Sequence, residues 1–156
     1  MLALERANGE LVVMAWLGIL DELPTPATIL PERSPEFASN GFVLVSGLGG
    51  SPDENGLQTS VAEVQTLAYS AGKARLPWSR AINMWSAIKA ACGYVRPSAG
   101  WLSLPGAYGD VLVRDVTVLS DPRRLDPEVK LGETTHRFAR YGGDLQVTWT
   151  QTGLVG

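Results

Sequence analysis

The chain has 156 residues, 45% of them hydrophobic and 19% charged, the composition of one folded domain rather than of a disordered segment. Thirteen basic residues against 16 acidic ones give a net charge of −3, so the chain lacks the electrostatic footprint for gripping DNA or an acidic membrane. One cysteine, Cys92, and one histidine, His136, exclude an internal disulfide framework and a Cys-rich zinc site.

In chain order, the first segment is the apolar run Leu11-Val-Val-Met-Ala-Trp-Leu-Gly-Ile-Leu20. Spanning a bilayer takes about 20 apolar residues, so this run is too short. Glu5 beside Arg6, and the Asp21-Glu22-Leu23-Pro24 that follows, are unlike a secretory signal. The run reads as an amphipathic helix with Asn8 as N-cap and Glu10 in its first turn. Val13, Trp16, Leu17 and Leu20 share one face. It ends before Pro24, since the residue preceding a proline is pushed out of the helical region. Leu23 to Pro35 is a proline-rich connector.

Phe42 to Leu48 and Thr59 to Tyr69 read as strands. In the second, Ala62, Val64, Thr66 and Ala68 alternate with Glu63 and Gln65. Pro77 opens a second helix, where its missing N–H costs nothing. Trp78, Ala81, Ile82, Trp85, Ile88 and Cys92 form an apolar stripe on it, and Gly93 suits its end. Val95 to Gly109 is a loop carrying Trp101. Val111 to Leu119 and Thr134 to Thr150 supply two more strands, the last with Gly142-Gly143 placed for a bulge. The expected fold is a single α+β domain over residues 1–156, in the order α-β-β-α-β-β. It has a four-stranded mixed sheet packed by helices, with long hairpin loops.

The stretch Ser46-Gly-Leu-Gly-Gly-Ser-Pro-Asp-Glu-Asn-Gly56 follows an apolar strand, as phosphate-binding loops do. A Walker loop needs Lys and Ser or Thr after its last glycine, but Leu57 and Gln58 stand there. The dinucleotide pattern fails too, because Gly47-Leu-Gly49 is followed by Gly50-Ser-Pro52. Both motifs feed a helix whose N-terminal amides hold the anion. This one feeds a strand through Pro52, Asp53 and Asn55-Gly56, which are turn residues. It reads as a hairpin.

No catalytic constellation is expected. His136 lies in Thr134-Thr-His-Arg-Phe-Ala-Arg140, where a lone strand histidine is an ordinary surface or satisfied side chain. Cys92 falls on the apolar stripe, the place of a small buried hydrophobe. The carboxylates Asp21-Glu22, Asp53-Glu54 and Asp121 with Asp126 sit in turns without a histidine or cysteine at ligand spacing. No cofactor and no metal is expected.

Two stretches carry a likeness to a known family: Leu76-Pro-Trp-Ser-Arg80 at the start of the second helix, and Pro122-Arg-Arg-Leu-Asp-Pro127 between the last strands. Together with the first helix, the proline-rich connector and the order of elements, they make the chain resemble the tail-terminator (tail-completion) proteins of long-tailed bacteriophages and gene transfer particles. The resemblance implies a structural virion protein forming a homo-oligomeric ring, usually a hexamer, on the last ring of the tail-tube protein. Such a ring stops tube polymerisation and presents its other face to a head–tail connector or neck protein. It implies a place at the neck end of the tail, after assembly in the host cytoplasm. DNA is then a passing cargo, which a mildly acidic subunit lets slide, and no membrane is involved.

Contacts are expected from Gly49, Asp53 and Glu54 in the Gly47–Gly56 hairpin and from Arg123 and Arg124 in the Asp121–Gly132 loop. Both segments are long for connections that commonly take about 2–5 residues, and arginine is enriched at interfaces. The Asp53-Glu54 tip of an adjacent copy is a candidate partner for the arginines. Two other classes fit the sequence: a different head–tail connector or neck protein, and a small ligand-binding α+β domain, which would need a concave apolar pocket.

Overall fold

The computed structural model describes residues 7–52, 56–71, 75–92 and 101–151. Helix α1 (Gly9–Gly18) starts where its cap dictates, with the Asn8 side chain accepting from the Leu11 N–H at 2.9 Å. Strands β1 (Phe42–Pro52) and β2 (Gln58–Ala68) follow as an antiparallel pair. Next come helix α2 (Trp78–Ala91), a short β3 (Trp101–Ser103) and a long β4 (Asp110–Arg124). Strands β5 (Glu128–Leu131), β6 (Thr134–Arg137) and β7 (Ala139–Gln151) complete the chain order.

The expected four-stranded mixed sheet packed by helices does not form. Strand accounts for 47% of the structure and helix for 23%, so the domain is mostly β. Its main sheet is five-stranded and curled, in the order β1-β2-β7-β4-β3, with β5 and β6 forming a second sheet. Every strand pair in both sheets is antiparallel. The three short strands escape a sequence reading because three or four residues show too little alternation to separate strand from turn.

The expected loops are also largely strand. Gly47 to Pro52 belong to β1, and Asp121 to Arg124 continue β4. Beyond Leu125, β5 and β6 form the outer part of one bent hairpin whose base is β4 and β7. The bend is tied by Leu125 N–H donating to the Arg140 carbonyl at 2.9 Å and Phe138 N–H donating to the Pro127 carbonyl at 2.8 Å. Gly132, at φ +61°, turns the tip between Leu131 and Thr134 as a two-residue hairpin turn with glycine first requires.

The main sheet has two unlike faces. On one, Val43, Val45, Ala62, Val64, Val116, Leu145 and Val147 pack beneath both helices, against Val12, Val13, Trp16 and Leu17 of α1 and Met84, Trp85 and Ile88 of α2. The Trp85 indole N–H donates to the Val64 carbonyl at 3.0 Å. On the other face, Leu67, Phe42 and Leu44 are covered by the folded-back hairpin through Val129, Leu131 and Phe138, together with Ala38, Leu30 and Phe37. Phe37 bridges Phe42 and Phe138, with ring centroids 5.0 and 5.8 Å away. Two cores on opposite faces hold the sheet in its curl.

Candidate assembly surface

Edges decide where a β protein can meet other chains, because an edge strand carries unpaired N–H and C=O groups. Strand β1 is one edge of the main sheet, and most of it is blocked. The connector crosses it at Ala27, whose N–H donates to the Val43 carbonyl at 2.9 Å and whose carbonyl accepts from Val45 N–H at 2.8 Å. The next outward amide, Gly47 N–H, donates to the Glu10 carboxylate of α1 at 2.7 Å. Past it the register slips between Gly47 and Gly49, and Pro52 supplies no N–H. Gly49 itself sits at φ +102° with open space around it, so backbone conformation rather than crowding requires glycine there.

Adjacent in sequence, Arg123 and Arg124 were expected to act as one patch, but they separate. Arg123 pairs with Gly142, which pairs with Gln65, and so lies on the face away from the helices. Arg124 pairs with Tyr141 in the row of Thr66, on the helix-bearing face. There its guanidinium stacks over the Trp78 ring, 4.5 Å from the centroid. Both side chains are exposed. The cause is the two-residue period of a strand, which applies once this segment continues β4.

Asp53 and Glu54 lie outside the described residues. The strands that lead to them end at the Pro52–Gln58 pair, in the row of Trp149. The row of Arg123 crosses β7 at Gly142, seven residues along, which is roughly 24 Å at the rise of an extended strand. Gly49 and Arg123 are also separated laterally, on β1 and β4, with β2 and β7 between them. The structure therefore does not bring the expected contact residues together within one subunit. It puts them at opposite ends of the sheet.

A row that sequence reading missed crosses four strands of the uncovered face: Ser46, Glu63, Asp144 and Ser120. Glu63 and Asp144 face one another directly, and the Gln65 amide donates to Glu63 at 2.5 Å. Gln65 in turn accepts from Arg140 at 2.8 Å. Only the pairing register reveals this row, since its members are scattered through the sequence.

The remaining candidates are ordinary. His136 is half-buried on β6 opposite Val129. Burial, and after it the charge of Asp115, pushes the Cys92 thiol up to about 11, so it stays protonated at neutral pH. A cleft of about 340 Å³ lies at the start of α1, lined by Asn8, Glu10, Gly47, Gly50 and Ser60. Its carboxylate, already engaged with Gly47, opposes an anion there, and β1 runs on into β2 rather than into a helix. Among the described residues no three His, Cys, Asp or Glu side chains gather to hold a metal ion, and no helix is long and apolar enough to cross a membrane. Compared with known proteins, the chain matches no protein-family model and no curated protein.

Proposed function

We propose that this chain is a structural assembly protein that works as a tail terminator: a ring of identical copies that caps a tail tube, stops its growth and joins it to the neck of a phage-like particle. One observation carries the reading. The arginine end of β4 and the hairpin end of β1 and β2 lie at opposite ends of one sheet, so they meet only between copies. Two different patches on one subunit make a head-to-tail contact, and a head-to-tail contact is what closes a ring. Blocking of the β1 edge by Ala27 and Glu10 adds support, because it suppresses indiscriminate edge pairing and leaves side chains to select the neighbour.

Reversing both charges, Arg123→Glu with Arg124→Glu, tests this. Losing the stacking of Arg124 on Trp78 costs the subunit about 1 kcal/mol, so the variant is expected to fold and to melt within a few degrees of the parent. Particles made with it are expected to carry tails of uncontrolled length or no joined heads. Tails of normal length from the folded variant would remove these arginines from the assembly contact.

A further inference from the structure

We infer that copies of this chain associate head to tail by seating Ile29 of one copy in the groove between α2 and the end of β4 on the next. This rests on the self-association half of the function proposed above, and not on what the assembled ring caps.

Ile29 is 76% exposed, more than any other large hydrophobic residue among those described. Its exposure is fixed rather than frayed. Two residues before it, Ala27 is bonded on both sides to β1, and one residue after it Leu30 packs against the Phe138 core. An anchored chain on each side leaves an apolar knob standing in water. The connector that carries it is acidic: from Asp21 to Ala38 it holds Asp21, Glu22, Glu32 and Glu36 against Arg33 alone. Glu32 and Glu36 are exposed.

The groove has the opposite character. It encloses about 280 Å³ over an apolar floor of Ile82, Trp85 and Tyr141, with Lys89 on one wall and Pro122 on the other. Lys89 stands in the last turn of α2, and Arg124 lies over Trp78 in the first, about 16 Å away along the helix. An apolar slot therefore has a cation toward each end. Lys89 is held only by Asp121, at 3.6 Å and with both side chains largely exposed, a pairing that an incoming carboxylate displaces at little cost. Shape and charge both match an isoleucine flanked by glutamates.

Position makes the contact intermolecular. Ile29 follows the connector's crossing of the β1 edge, whereas the groove lies over β7 and β4, on the far side of β2. Knob and slot on different sides of one subunit form a heterologous contact, which propagates from copy to copy until it closes.

The test uses the full chain carrying Cys92→Ser, Ile29→Cys and Ser86→Cys, treated with a short bismaleimide at high protein concentration. Ser86 lines the groove, is exposed, and bonds only back to the Ile82 carbonyl of its own helix. The expected result is a covalent ladder beyond the dimer, with each single-cysteine chain stopping at a faint dimer. Lys89→Glu or Glu32→Lys should slow the ladder about tenfold, and the two together should restore it. No ladder, or a strong dimer from either single-cysteine chain, would overturn the proposal, and rates indifferent to the charge swaps would overturn the matching of charges. A ladder from a protein whose removal leaves tail length unchanged upholds the contact while rejecting the capping function. Uncontrolled tails without a ladder do the reverse.

Discussion

Trp85→Ala is expected to lower stability by about 3–5 kcal/mol, the range for emptying a large aromatic from a packed core. Trp85 is fully buried, between β2, β7 and its own helix, and forms the floor on which α2 rests. Its removal leaves a cavity and also strips the Val64 carbonyl of its indole partner. For a domain of this size the melting temperature should fall on the order of 10 °C. Trp85→Phe separates the two effects, because it keeps most of the apolar volume and loses only the hydrogen bond, at about 1–2 kcal/mol. An alanine variant that melts within about 2 °C of the parent would show that α2 does not pack through Trp85.

Gly9→Val is expected to be nearly as damaging, by crowding rather than by cavity. The first residue of α1 presses so closely on β2 that a Cβ there would stand 2.1 Å from the Ser60 Cβ and 2.5 Å from its hydroxyl. Helix and sheet would have to separate, which costs about 3 kcal/mol and sometimes more. The same movement would withdraw Glu10 from Gly47 and reopen the β1 edge, so aggregation should accompany the lost stability. Gly18→Ala is the control. A Cβ at Gly18 meets nothing within 4 Å, and that change should be neutral or stabilise by up to about 1 kcal/mol. Calorimetry on the two variants decides the point. A Gly9→Val protein as stable as Gly18→Ala would contradict the close approach of α1 to β2.

Local signals made both helices legible. Asn8 capping Leu11 and Pro77 preceding Trp78 are short-range features, and both helices form there. Met84 shows the limit. It falls outside the apolar stripe read from the sequence, yet it is buried because the chain turns beneath it at Gly41, whose φ is +99°. Glu10 was legible as a first-turn acid, but its bond to Gly47, 37 residues away, depends on how α1 docks. Glu128-Val-Lys-Leu131 alternates as a strand should, but Pro122 and Pro127 on its approach argue for a loop, and the bulges of β4 absorb the first of them. Reading that segment as a loop also hid the parting of Arg123 from Arg124. Both candidate surfaces thus depend on register and connection, which long-range pairing sets.

Electron microscopy of the assembled particle, with this chain carrying a visible tag, addresses the proposed function most directly. A single closed ring of tagged copies where the tail tube meets the neck is the expected result. Tagged density spread along the tube, confined to the head or absent from the particle would contradict it.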